Sequence, residues 1–224
     1  MKYLISFLFL ALAFSMKSEA KVTLPSILGD NMVLQQQAEV KLWGKARPNA
    51  TVTVKTSWNG QTYKFSSDGK GGWSLTVSTP VAGGPYKIIF NDGELLTLQN
   101  VLIGEVWFCS GQSNMEMPMG CFDRQPVRGA NDIIAKAKPS TPIRMYTTDS
   151  KDGRWVRQFS KTPAEDCQGE WLENTPVNVS HISAVSYYFA RYIQEVLEVP
   201  VGIVVSTWGG SRIEAWMSRE SIKP

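Results

Sequence analysis

Ser113 and its neighbours are the residues in this chain whose types and spacing could do chemistry. The run Trp107-Phe108-Cys109-Ser110-Gly111-Gln112-Ser113-Asn114-Met115-Glu116-Met117 begins as the end of an apolar segment, residues 101–108, that reads as a buried strand. The pattern breaks at Ser110-Gly111 and leaves Ser113 on the turn that follows. Ligands of open α/β sheets sit beyond the carboxyl ends of the strands. A serine at that place, between Gly111 and the polar Gln112 and Asn114, is positioned to be a nucleophile. The same letters also fit a polar turn that merely leaves a strand.

A serine hydrolase needs a nucleophile, a base, and donors for the developing oxyanion. Ser113 can be the first. Donors are offered by the backbone N–H of Ser113 or its neighbour, and by Gly209-Gly210, where paired glycines after an apolar strand let backbone approach a ligand. Both stretches follow strand ends, so they could lie side by side over one edge of a sheet. Gly209-Gly210 equally fits an ordinary strand–helix turn. The base is the difficulty, because the chain has one histidine, His181. It precedes a helix expected from Ser183, whose dipole disfavours a protonated imidazole, and no acidic neighbour orients it. If His181 is not the base, these residues contain none.

The elements that must position these groups fall into two textures. Residues 21–98 read as all-β. Thr51-Val52-Thr53-Val54-Lys55-Thr56 alternates well, and Asn59-Gly60 marks a hairpin to residues 61–65. Further short strands are expected at 40–44, 73–77 and 86–90, separated by glycine-rich turns, which describes a β-sandwich. Trp43, Trp58 and Trp73 are candidate sugar platforms, but Trp43 and Trp73 lie within strand patterns and are expected in the core; Trp58 is the more exposed candidate.

After Asn100 the pattern alternates between strand and helix, which argues for a parallel α/β sheet. Strands are expected at 101–108, 143–146 and 201–205. Helices are expected at 126–138, with Ile133, Ile134 and Ala137 on one side, at 183–198, and from Ile213. In the second, Ser183 is a good N-cap, and Val185, Tyr188, Phe189, Tyr192, Ile193 and Val196 form the expected apolar face. Residues 151–178 read as loop. Such a sheet would be thin, with its last strand exposed.

Composition narrows the function classes. The chain of 224 residues is 43% hydrophobic and 11% aromatic, as packed globular proteins are. Its net charge of +3 is scattered, with no basic face for nucleic acid. Met1-Lys2, an apolar run at 3–16 and Lys17-Ser18-Glu19-Ala20 make a secretory-signal pattern, with cleavage expected after Ala20. The run is shorter than the roughly 20 residues of a membrane span. A secreted protein, periplasmic or extracellular and without a membrane span after cleavage, is the expectation. Of the three cysteines, Cys109 should be a buried small hydrophobe, and Cys121 with Cys167 is a candidate disulfide pair. Their number and spacing do not suit a zinc site.

Gly111-Gln112-Ser113-Asn114-Met115, led by Val106-Trp107 and followed by Glu116-Met117-Pro118, closely resembles the nucleophile block of sialate O-acetylesterases. These belong to the GDSL/SGNH hydrolases, together with related acetylxylan esterases. Leu34-Gln35-Gln36, Val40-Lys41-Leu42-Trp43-Gly44 and Gly72-Trp73-Ser74-Leu75 resemble the β-sandwich that precedes the catalytic domain in that family. Residues 183–191 resemble its central helix. Pro200-Val201-Gly202-Ile203, Trp208-Gly209-Gly210-Ser211 and Glu214-Ala215-Trp216-Met217 resemble the next block.

The resemblance covers residues 22–217 and implies an organisation: a signal peptide at 1–20, a β-sandwich at 21–100, and the N-terminal part of an incomplete α/β SGNH-hydrolase-like domain with a parallel sheet at 101–224. It implies that Ser113 is the nucleophile and that the N–H groups of Ser113 and of Gly210 or Gly209 form the oxyanion hole. Gln112, Asn114, Trp208 and Ser211 are substrate-pocket candidates; Ser211 stands where the family often has threonine. The implied reaction removes acetyl groups from a sugar or polysaccharide through an acetyl-enzyme, with no metal or organic cofactor. The family's catalytic histidine lies in a downstream Asp-x-x-His block, which these 224 residues lack, and His181 matches no catalytic position. The resemblance therefore implies a truncated esterase, with a complementing C-terminal fragment as a candidate partner. The alternative is a non-catalytic glycan-binding protein of the same fold.

Overall fold

The computed structural model describes residues 22–151, 153–157 and 164–222. The expected signal segment lies outside them. Among the described residues the strands are β1 (Val33–Gln35), β2 (Glu39–Lys45), β3 (Thr51–Thr56), β4 (Thr62–Ser66), β5 (Gly72–Ser78), β6 (Gly83–Asn91), β7 (Leu95–Gly111), β8 (Ile143–Thr147), β9 (Ser150–Lys151), β10 (Arg154–Trp155), β11 (Trp171–Glu173) and β12 (Val201–Thr207). The helices are α1 (Ser113–Glu116), α2 (Ala130–Ala135), α3 (Pro176–His181), α4 (Ala184–Leu197) and α5 (Arg219–Ile222). A 3₁₀ turn covers Ile213–Trp216.

β7 is the organising element. Seven strands run in the order β11-β8-β12-β7-β6-β3-β4, and β1 pairs with β7 beside that path. The first part of β7 lies antiparallel to β6, up to the pairing of Ile103 with Gly83. Its remainder lies parallel to β12, from Glu105 opposite Val201 to Gly111 opposite Thr207. Asn100 takes a left-handed φ of 54° without ending the strand. The expected division between residues 100 and 101 thus falls inside a continuous strand. The strands form a mixed sheet, antiparallel from the start of β7 through β6 and β3 to β4, and parallel among the end of β7, β12 and β8. Among the described residues, the antiparallel pair β2–β5 packs over the sheet's antiparallel half in a cluster that also takes in Val22, Leu28 and Met32.

That half is closed by side chains of strict alternation. Val52 and Val54 of β3, Ile88 and Phe90 of β6, and Leu42 and Val77 of the β2–β5 pair are fully buried in one cluster. Each such side chain contributes roughly 1.5–3 kcal/mol on burial. Trp73 joins them, 5.3 Å from Phe65 and 5.7 Å from Phe90 between ring centroids. Trp43 does not. It is 40% exposed, because Leu42 points inward and its neighbour in a strand must point out. Trp58, expected as the more exposed, instead donates its ring N–H to the Ser78 carbonyl at 3.1 Å and packs against Tyr86.

In the parallel half, Ile143 and Met145 of β8 and Ile203 and Val205 of β12 face a cluster with Tyr187 and Ala190 of α4. Tyr146 and Val204 face the other way, into the first cluster. Strands buried on both faces suit a parallel sheet. The last strand, expected at an exposed edge, is central: β12 lies between β7 and β8, and the edge strand is β11, in a stretch read as loop. The second expected helix is observed as α4, with Ser183 capping it by accepting from the Ser186 N–H at 3.3 Å. Its expected apolar face is only partly right. Ala184, Ser186, Tyr187 and Ala190 are buried and Ile193 packs beside them, while Val185, Tyr188, Phe189, Tyr192 and Val196 are exposed. Small residues let the helix approach the sheet closely, so packing selected that side. The helix expected at 126–138 is the shorter α2, with Ile133, Ile134 and Ala137 partly buried as expected. All three cysteines are free, and the Cys121–Cys167 bridge is not formed.

Candidate active site

Ser113 opens α1 immediately after β7, and the Trp208–Gly210 loop follows β12. Because β7 and β12 are parallel neighbours that end opposite each other at Gly111 and Thr207, the two loops emerge side by side. The Trp208 N–H donates to the Gly111 carbonyl at 3.0 Å, extending the pairing one step past the strand ends. Gly111 has φ 149°, and a Cβ there would stand 2.8 Å from Met115 Cγ, so the turn that delivers Ser113 needs glycine.

The structure brings the sequence-derived residues together. A Cβ on Gly209 would stand 3.2 Å from Ser113 Oγ. The Gln112 side-chain amide donates to the Ser211 carbonyl. Ser211 Oγ donates to the Trp208 carbonyl at 2.7 Å and accepts from the Trp216 ring N–H at 2.8 Å. Ser113, Asn114 and Gly210 are exposed, and neither the Ser113 hydroxyl nor the Gly210 N–H has a hydrogen-bond partner among the described residues. The first N–H groups of a helix lack partners within it, which leaves that of Ser113 free to face a ligand. Cys109, on the same strand, is buried next to Ser186, and burial pushes its thiol up from the ordinary value.

His181 is not part of this group. It ends α3 and lies against Gly153, with no contact to Ser113 among the described residues. Among those residues no cluster of three or more His, Cys, Asp or Glu could hold a metal ion.

Two residues that sequence reasoning missed complete the site. Glu116 is buried one helical turn after Ser113. Its Oε2 accepts from the Gly209 N–H, and its Oε1 pairs with Arg157 Nη1 at 2.9 Å. Arg157 Nη2 donates to the Thr207 carbonyl at 2.8 Å. Its guanidinium carbon lies 4.2 Å from the Trp155 ring centroid and 4.9 Å from that of Trp208, within cation–π range of both. The i,i+3 spacing of Ser113 and Glu116 was a usable signal. Arg157 stands in a stretch without any pattern.

No family model matches the chain. Among curated proteins, it is 30% identical over 216 residues to the sialate O-acetylesterase of Homo sapiens, covering 88% of this chain and 39% of that protein. The Mus musculus sialate O-acetylesterase is 29% identical over 213 residues, covering 88% and 38%. A solved structure described as a novel carbohydrate acetylesterase from Xanthomonas citri superposes with a TM-score of 0.79 and 35% identity, over 90% of this chain and 43% of that one. The chain therefore spans about two fifths of the length of the proteins it matches.

Proposed function

Because the chain is a homologue of the sialate O-acetylesterases, we propose that it acts as a carbohydrate O-acetylesterase with Ser113 as nucleophile. Ser113 Oγ attacks the acetyl carbonyl, and the sugar hydroxyl leaves with a proton. Water then hydrolyses the acetyl-enzyme to acetate. The N–H of Ser113 and one from Gly209-Gly210 receive the oxyanion. Gln112, Asn114, Trp208 and Ser211 shape the pocket for an acetylated sugar or polysaccharide. The observation that carries this reading is the proximity of Ser113 Oγ to Gly209, at the ends of two adjacent parallel strands.

The base is not among the groups at Ser113. His181 is turned to another part of the fold, and the Asp-x-x-His block implied by the resemblance is absent from these 224 residues. The reading therefore assigns the base to a complementing C-terminal segment. Alone, the chain should show the modest rate that substrate binding and oxyanion donors sustain, roughly 10³–10⁴-fold over water. The signal pattern at residues 1–20 supports action outside the cytoplasm, in periplasm or medium.

Acetate release from 9-O-acetylated sialosides and from acetylated xylan, with and without Ser113→Ala, tests the proposal. Release above background that is lost in Ser113→Ala supports it. Release equal to background on both substrates and on an activated acetyl ester would overturn it.

A further inference from the structure

We propose that Glu116 is a positioning residue for the oxyanion loop, and that the loop's donor to the oxyanion is the N–H of Gly210, not that of Gly209; this rests on the esterase reading of Ser113. A carboxylate as buried as that of Glu116 is unfavourable unless paired and hydrogen-bonded. It is both, since one oxygen accepts from the Gly209 N–H and the other pairs with Arg157. Both oxygens are engaged by N–H donors of the loop and of Arg157, and among the described residues no hydrogen bond joins Glu116 to the Ser113 hydroxyl. Its geometry is that of a clamp.

The clamp holds three successive loop positions. Arg157 grips the Thr207 carbonyl and lies against the Trp208 ring, and Glu116 grips the Gly209 N–H. A side chain on Gly209 would close this contact, because its Cβ would stand 2.8 Å from Glu116 Oε2. An oxyanion cannot use the Gly209 N–H without displacing a carboxylate from it. The Gly210 N–H, next along the chain, has no partner among the described residues. Arg157 also offsets the charge that Glu116 would otherwise set beside the developing oxyanion.

Two measurements on the full chain test this. In the first, the amide resonance of Gly209 is followed by NMR in the wild type, Glu116→Gln and Glu116→Ala, alongside kcat and KM for an activated acetyl ester. Gln keeps an acceptor oxygen, so kcat should fall less than about 10-fold. Ala removes the clamp, and kcat should fall about 10²-fold, as roughly 1 Å of misplacement can do, with KM within about twofold. The Gly209 amide should move upfield in both variants, further in Ala. A Gly209 resonance indifferent to both, or variants that lower only the melting temperature and leave kcat intact, would overturn the clamp.

In the second, Ser113 is trapped with a fluorophosphonate, which loses fluoride and leaves a tetrahedral phosphonyl ester whose polar P=O oxygen stands in for the oxyanion. The Gly210 amide should move downfield while that of Gly209 stays. Movement of Gly209 alone would overturn the donor assignment. Failure of Ser113 to form the adduct would overturn the esterase reading and the donor assignment with it, while the Gly209 response to Glu116→Gln would still decide the clamp.

Discussion

The antiparallel half of the sheet, β6-β3-β4 with the β2–β5 pair above it, and the parallel half, β11-β8-β12 with the end of β7, share one strand yet are covered very differently. Among the described residues before 100, the large exposed apolar side chains are Trp43, Val81 and Leu95. After it they include Trp107 and Phe108 on β7 and Val185, Tyr188, Phe189, Tyr192 and Val196 on α4, with Trp107 and Phe189 edge to face at 5.0 Å. From Glu105 onward, β7 pairs with β12 on one side; among the described residues its backbone on the other side pairs with β1 as far as Gly104 and then donates from the Val106 N–H to Gln35 Oε1. The closed half can hold the fold, and the open half carries the reactive groups. Loops that bind and react are commonly drawn from the less stable parts of a protein.

The strongest way to break this contrast is a pair of substitutions. Phe90→Ala in the closed core should cost roughly 3–5 kcal/mol of unfolding free energy. Phe108→Ala on the open half should change it by no more than about 0.5 kcal/mol. Urea unfolding of both variants checks this, and equal losses would dissolve the distinction. Next in size, Gly209→Ala should lower Ser113-dependent turnover about 10²-fold, because its Cβ would push the loop off Glu116 Oε2 and roughly 1 Å of misplacement can cost that much, while costing less stability than Phe90→Ala. A turnover unaffected by the added methyl would mean that the Glu116 contact has no bearing on the site.

Hydrogen exchange sharpens the comparison more gently. Amides on the unpaired side of residues 107–110 should exchange at least about 10-fold faster than those of β3, which is bonded to β4 and β6. The smallest effect concerns the thiols. Cys121 is exposed, whereas burial raises the pKa of Cys109, so that its reactive thiolate appears only at higher pH. Iodoacetamide should therefore modify Cys121 at least about 10-fold faster near pH 8, measured by peptide mass.

Local patterns survive folding where nothing competes with them. β3 occupies the six residues its alternation describes, and Ser183 caps α4, because strand parity and capping are settled within a few residues. Trp43 was legible by the same parity, since Leu42 must face the core. The length of β7 was not, because two partners of opposite direction share it and each half alone reads as an ordinary strand. Nor was the buried side of α4: with apolar residues on most of its surface, the choice falls to how closely Ala184 and Ala190 let it approach the sheet. At the site, Ser113 and Gly209-Gly210 stood out because both follow strands. The Arg157 contact joins residues 41 apart in sequence, which no local pattern encodes.

Hydrolysis of p-nitrophenyl acetate by the wild type, Ser113→Ala and His181→Ala tests the central claim most directly. The account predicts a slow rate above background that vanishes in Ser113→Ala and persists in His181→Ala. A rate unchanged by Ser113→Ala would contradict it.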